Sequence, residues 1–496
     1  MTQCSQSTHT VGELFERFEN KGHNMKLGAP YNGVALIAVD DSIYLHQAYG
    51  YEDWENEVPH TVDNQFPIAS ITKQFTSMLT MILVDEGMLD LDTPIYTYLP
   101  ELSNPRLRRV TLHHLLSHTA GLPHYDGLVS LGYSYSTYAS SSYTPTELVR
   151  MIDQCSLRYE AGEGFYYSSL GYILVGAILE SVSEKSYADL LEEKITGPLQ
   201  MKRTGFGDNE YVKNNVVKGY DYEELYGLDW WKSDLGGEIT ETKFRDQSGK
   251  FSTGGIHSTA MDLWKWSQAI RDRKLISEAS YERIFTPTVD GFCYGWIKNW
   301  DDLLERNKET SMVMHSGALG GYRSTIAIYD DGTTIISLSN IQPMRDKNLL
   351  HQAYLSTHGL KDEYKLEGYP EWPSADEFID NGGFNTLNTY FDRLSKLAGH
   401  EVKPSASSLL RIGIKFLDDD KINQADSIFS HTFQSYEIET GLVNQLGYRL
   451  VQMGFCKQSK DFFGYNLAKD SLSANAWDSL GDAFKACGEN DKAKFH

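Results

Sequence analysis

Phe66-Pro67-Ile68-Ala69-Ser70-Ile71-Thr72-Lys73 opens a strong helical pattern. Phe75, Met78, Leu79, Ile82 and Leu83 recur on one face, and Gly87 is a natural stop after Glu86. Three residues separate Ser70 from Lys73, so their side chains share one face of the helix. A serine hydroxyl is a weak nucleophile until a base takes its proton. A lysine held in a confined site can lower its pKa and act as that base, or polarise a neighbour that does. The helix N-terminus adds a positive dipole and a free backbone N–H. By itself S-x-x-K is weak, since chance places roughly one or two in a chain this long. Its bland reading is a helix cap followed by a solvated lysine.

Outward from that helix, alternation marks strands. Val34 to Val39 reads as one strand, Asp40-Asp41 as a turn and Ile43 to Tyr49 as the return. Far along the chain, Tyr322 to Tyr329, Asp330-Asp331-Gly332 and Thr333 to Leu338 repeat the pattern. Two distant hairpins with helices between them predict one antiparallel sheet, closed by both ends of the region and covered by helices, an α+β fold. Val11 to Lys21 reads as a leading helix. The Gly- and Tyr-rich stretch from Gly121 to Tyr143 reads as loops that frame a site. Tyr125, Tyr133, Trp230 and Trp231 are candidate pocket walls.

Two further segments can carry chemistry. Tyr167-Ser168-Ser169 sits just before the apolar run Ile173 to Leu179. A phenol beside Lys73 could relay the proton from Ser70 to a leaving group, although a lone loop tyrosine is more often packing. His315-Ser316-Gly317-Ala318-Leu319-Gly320-Gly321 reads as a strand edge whose glycine lets a substrate backbone lie close. His315 could bind a substrate carboxylate or polarise Tyr167, while the ordinary role of a lone histidine is a structural hydrogen bond.

The order and spacing of the three segments resemble the serine β-lactamase and penicillin-binding-protein superfamily, in particular its class C β-lactamase-like branch, whose signature is S-x-x-K, then Tyr-x-Asn, then Lys/His-x-Gly. Gly87 to Asp92, Leu115 to Pro123, Ser252 to Gly255 and Ser258 to Leu263 resemble further stretches of that branch, so the likeness runs from about residue 10 to 358. It implies a β-lactamase/transpeptidase-like fold in which Ser70 is acylated and Lys73 and Tyr167 share the general base and acid work. Ser169, His315 and Gly317 would line the substrate site, and the backbone N–H groups of Ser70 and Ala318 would hold the oxyanion. His118 would shape its loop rather than react. The resemblance implies neither metal nor organic cofactor, and a small-molecule or peptide substrate. Two departures matter. Ser169 stands where the family usually has Asn, and His315 stands where efficient β-lactamases have Lys. Both favour an esterase or D-peptidase over a strong β-lactamase. The alternative is a catalytically weak penicillin-binding-like protein that acts as a binding or scaffold module.

Composition bounds these readings. The 496 residues carry a net charge of −23, which repels polyanions and argues against nucleic acid. Five scattered cysteines without a C-x-x-C exclude a full disulfide framework and make thiolate metal binding improbable. No run of about 18 apolar residues is present, and Met1 to Thr10 lacks the pattern of a signal peptide. The expectation is a soluble chain, periplasmic or cytoplasmic. Beyond Pro404 the pattern is helical, and Gly413, Gly447 and Gly481 are 34 residues apart. That period resembles tetratricopeptide repeats, which would offer a protein or peptide partner a groove. The expected division is a hydrolase domain at 1–360, a linker at 361–404 and a helical domain at 405–496.

Overall fold

The computed structural model describes residues 31–133, 135–223, 238–243, 245–289, 291–298, 310–342, 346–358, 406–418, 421–471 and 473–493. They fall into two compact units, 31–358 and 406–493. The expected helix over Val11 to Lys21, the tryptophans at 230 and 231, and the 361–404 linker lie outside the described residues.

The two hairpins of the sequence form as expected, over Gly33–Val39 with Ser42–Tyr49 and over Tyr322–Tyr329 with Thr333–Ser339. They meet through their inner strands, antiparallel, from Gly33 opposite Ser339 to Val39 opposite Thr333. Met312–Leu319 pairs with Tyr322–Tyr329, and the short Ile297–Lys298 strand follows outside it. Among the described residues the main sheet therefore has six strands, all antiparallel.

The central strands are apolar on both faces because both faces are covered. Val34, Leu36 and Ala38 point into one core with Phe75 and Trp266. Ala35 and Ile37 point into another with Leu350, Ala353 and Tyr354. The period-2 geometry of a strand assigns them to these opposite sides. The helices Ala260–Arg271 and Asp346–Thr357 supply the covers.

Beside the sheet, Thr72–Asp85 and Ser169–Ser183 form the core of a helical region. Burial runs along the first helix from Thr72 to Leu83, so its polar groups need internal partners. Most have them: Thr76 Oγ1 lies 2.7 Å from the Tyr187 hydroxyl, Ser77 Oγ 3.1 Å from that of Tyr172, and Gln74 Oε1 accepts from Trp266 Nε1 at 3.0 Å, while Gln74 Nε2 is left without a partner. Gly176 lets the second helix approach the 251–254 turn, since a Cβ there would sit 2.1 Å from Ser252 Oγ. This contact fixes the backbone that later receives Lys73.

In the 406–493 unit, helices start at Ala406, Thr440 and Ala474, and their partners at Ile422, Cys456 and Asn490. Both series step by 34 residues. Two of the three expected small residues sit at close approaches: a Cβ on Gly413 would meet Phe429 at 2.2 Å, and one on Gly447 would meet Phe463 at 2.6 Å. Gly454 and Gly488 end helices with φ of +83° and +78°, conformations in which glycine is unstrained. Although the cysteines form no full framework, Cys456 and Cys487 pair in a disulfide inside this unit, while Cys155 and Cys293 are buried free thiols.

Candidate active site

Ser70 stands on a strained turn. Ala69, just before it, has φ +45°, a left-handed conformation that an alanine adopts at a cost. The turn is pinned on two sides. Ile68 donates its N–H to the Ile256 carbonyl at 2.9 Å, and the Ile68 carbonyl accepts from Ser324 Oγ at 2.8 Å. Gly317 lies against it so closely that a Cβ would come within 2.2 Å of the Ile68 oxygen. The glycine of the His-x-Gly segment thus serves the packing of the strand on the Ser70 turn. Ser70 is not a helix cap, because the residue at that position is Ile71 and no side chain bonds there.

Lys73 follows on the first turn and is fully buried. Its Nζ donates to Ser70 Oγ at 3.1 Å and to the Thr253 carbonyl at 2.9 Å. It sits 5.0 Å from the centre of the Tyr167 ring and 5.7 Å from that of Tyr172. Burial lowers its pKa to about 7. An amine so placed can be neutral at neutral pH and take the Ser70 proton.

Tyr167 lies in the segment before the Ser169–Ser183 helix, which starts earlier than the apolar run alone indicates because the Ser168 side chain caps it. The phenol oxygen is buried without a hydrogen bond of good geometry. Burial pushes its pKa well up, and the nearby Ser70 hydroxyl opposes that only in part. Tyr167 is therefore a protonated phenol beside the Lys73 amine. His118 shapes this segment: its ring lies 4.4 Å from that of Tyr167, its Nδ1 accepts the Ser168 N–H at 3.1 Å and its carbonyl accepts from Tyr166 N.

His315 Nδ1 donates to the Ser316 carbonyl at 2.6 Å, and its ring centre is 6.2 Å from that of Tyr167. Burial, then the positive charge of Lys73, lowers its pKa to about 3. The imidazole is neutral with its proton on Nδ1, so Nε2 offers a lone pair. Of the two roles open to it, this suits a partner for a phenol proton and not a receptor for a carboxylate.

A cavity of about 190 Å³ joins Ser70, Ser169 and Ala318 with Ala69, Thr253 and Gly254. Its wall includes Tyr125, as the loop reading anticipated; Tyr133 is not among the lining residues and is exposed. Lining residues that the sequence reading did not single out include His124, Asp246 and Lys250. His124 Nδ1 accepts the Tyr125 N–H at 2.7 Å, which puts the ring proton on Nε2, 3.4 Å from Ser169 Oγ. Ser169 then keeps its own hydroxyl proton for the cavity. His124 lies within the Gly121 to Tyr143 stretch read as site-framing loops, and Lys250 stands two residues before Ser252 to Gly255; those segments hinted at each without naming it. Among the described residues no group of three or more His, Cys, Asp or Glu is arranged to hold a metal ion. No helix there is long and apolar enough to cross a membrane.

Known proteins share this architecture. Penicillin-binding protein 4* of Bacillus subtilis is 30% identical over 322 residues, 62% of this chain and 68% of that protein. The D-amino acid amidase of Ochrobactrum anthropi SV3 superposes with a TM-score of 0.58 at 22% identity, over 71% of this chain and 98% of the amidase. EstCE1, a hydrolase with promiscuous acyltransferase activity, superposes at 0.59 with 19% identity, over 71% and 99%. The Beta-lactamase family matches residues 28–358, and with the sheet and the Ser70–Lys73 turn as described, the chain belongs to that family.

Proposed function

We propose that the 31–358 unit is a serine hydrolase that forms an acyl-enzyme on Ser70 and cleaves an ester or a D-amino-acid amide. The observation that carries this reading is the buried Lys73 amine, held between Ser70 Oγ and the Thr253 carbonyl with its pKa near neutrality. Neutral Lys73 takes the hydroxyl proton as Ser70 Oγ attacks the substrate carbonyl. The backbone N–H groups of Ser70 and Ala318 face the developing oxyanion. Tyr167 gives its proton to the leaving group and is reloaded from Lys73. Water then attacks the ester carbonyl as neutral Lys73 takes one of its protons, and Lys73 passes that proton to Ser70 Oγ as the acid departs.

Esterase or D-peptidase activity is favoured over strong β-lactamase activity. Ser169 replaces the family's Asn and works through His124, and a neutral His315 replaces a lysine. A cavity of about 190 Å³ favours a small acyl group. The amidase and esterase likenesses are consistent with this choice. The 34-residue spacing of helix starts supports a tetratricopeptide-like reading of the 406–493 unit, with a groove for a protein or peptide partner.

The test is covalent labelling by a fluorophosphonate or fluorescent penicillin, alongside turnover of short-chain p-nitrophenyl esters, nitrocefin and D-Ala-D-Ala peptides. Labelling and ester or peptide turnover are expected, both lost in Ser70→Ala. A correctly folded protein that takes no label and turns over none of the panel refutes the proposal and favours a binding role.

A further inference from the structure

A pocket of about 420 Å³ lies apart from the Ser70 cavity and shares no lining residue with it. Its size falls within the range of small-molecule sites, about 300–1,000 Å³. The mechanism above makes no use of it. One wall is the turn Glu192–Thr196, where Gly197 donates its N–H five residues back, to the Glu192 carbonyl at 2.8 Å. Such π turns are rare and recur at functional sites. Another wall is the His257 ring, stacked on that of Tyr211 with centres 4.8 Å apart and planes at 29°. The Tyr211 ring is held for this contact, since its hydroxyl donates to Gln65 Oε1 at 3.0 Å.

His257 is 5% exposed and has hydrogen-bonding capacity that the fold does not use. Its Nδ1 is closed off from solvent and has no partner. Among the described residues its Nε2 makes no hydrogen bond either. Burial lowers its pKa to about 4, so at neutral pH the ring is neutral and holds one proton. A proton on Nδ1 would be a buried orphan donor, which proteins avoid more strictly than an idle lone pair. The proton therefore belongs on Nε2. That edge of the ring faces the pocket: a Cβ on Gly205, also a lining residue, would stand 3.8 Å from Nε2, and one on Gly207 would stand 3.1 Å from Cε1. Glycine at both places leaves the edge uncovered.

The rest of the lining narrows the ligand. Leu191, Met201 and Phe206 supply apolar surface. The charged members are Asp189, Glu192, Lys202 and Arg203, all exposed and two of each sign, so they set no net charge. The buried Thr204 hydroxyl is occupied, with Ser258 Oγ at 2.7 Å and Asp262 Oδ2 at 3.1 Å. A neutral donor set among apolar and aromatic side chains suits an aromatic molecule with an acceptor oxygen.

We infer that this pocket is a second ligand site, which takes an uncharged aromatic molecule whose carbonyl oxygen accepts from His257 Nε2. The site stands on its own geometry and is independent of the chemistry at Ser70.

The test is calorimetric titration of the full chain with acetophenone and with toluene, which lacks the oxygen. Wild type is expected to bind acetophenone at one site, and more tightly than toluene. His257→Phe keeps a ring and removes the N–H, so acetophenone binding should weaken about tenfold. Ala188→Phe fills the pocket from a half-buried position and should abolish binding; it decides the question if His257→Phe does not fold. Binding should persist in protein whose Ser70 carries a fluorophosphonate. No saturable binding by wild type, toluene bound as tightly as acetophenone, or an affinity unchanged in either folded variant overturns the inference. Loss of binding on labelling of Ser70 overturns it too, by placing the molecule in the Ser70 cavity. If Ser70 takes no label, the two pocket variants still locate the site, so this inference and the hydrolase reading fail separately.

Discussion

Lowering the pH should switch off the acylation of Ser70 through Lys73 alone. With a pKa of about 7, roughly half of the Lys73 amines are neutral at pH 7, against about three in ten thousand for a lysine at its ordinary value. At pH 5 the neutral fraction is about 1%, so the rate should fall about 50-fold between pH 7 and pH 5 and level off above about pH 8. The histidines of the site do not confuse this limb. The pKa of His315 is lowered to about 3 and that of His124 to about 4, in each case first by burial and then by the Lys73 charge, and burial holds His118 well below its usual value. Lys250 titrates near pH 7 as well, lowered by burial and then by Arg245, so the profile is measured in Lys250→Met too, where the limb should persist. The assay is the second-order rate of Ser70 labelling by an uncharged fluorophosphonate from pH 5 to 10. A rate that is flat from pH 5 to 8, or that still climbs through pH 10, refutes the reasoning. Stability provides a second check. The folded pKa lies below the unfolded value, so the folded state binds fewer protons between about pH 7 and 10.5 and stability rises with pH across that window. The destabilisation is fully present below pH 7 and amounts to at most about 4–5 kcal/mol. Lys73→Met should therefore abolish labelling while raising Tm at pH 6 to 7.

Tyr167→Phe keeps the ring against His118 and removes a hydroxyl with no hydrogen bond of good geometry, so turnover should fall about 10²–10⁴-fold with Tm nearly unchanged; full activity in the variant would remove Tyr167 from the proton path. Gly317→Ala drives a Cβ toward the Ile68 carbonyl at 2.2 Å, and both the labelling rate and Tm should drop sharply, because the strand can yield only by moving the nucleophile turn. In the helical unit, Gly447→Ala places a Cβ 2.6 Å from the Phe463 ring and should destabilise by about 1–3 kcal/mol in thermal melts, despite alanine's better helix propensity. A neutral or stabilising result would show that the ring has room to yield.

Much of the fold was legible because it is written in local periodicity. The hairpin at Asp40-Asp41, the strand Tyr322–Tyr329 and the helix after Ser70 follow from alternation, turn residues and a helical stripe. The 34-residue spacing of Gly413 and Gly447 is a packing requirement, met in each case by a phenylalanine sixteen residues on, and so it too left a mark in the sequence. Ser70, Lys73, Tyr167 and His315 were found as motifs, and they meet around one centre.

The partners of these residues left no such mark. The Thr253 carbonyl that holds Lys73, the His124 ring behind Ser169 and the Ser316 carbonyl that fixes the His315 proton are matched by backbone position and ring orientation, which no side-chain pattern records. The sequence by itself determined the strands, the helix after Ser70 and the order of the candidate site residues, because neighbours along a chain fix period and spacing. Only the tertiary structure decided which groups lose water. Desolvation depends on what surrounds a side chain in space, and that lowers the pKa of Lys73 to about 7 and keeps His315 neutral.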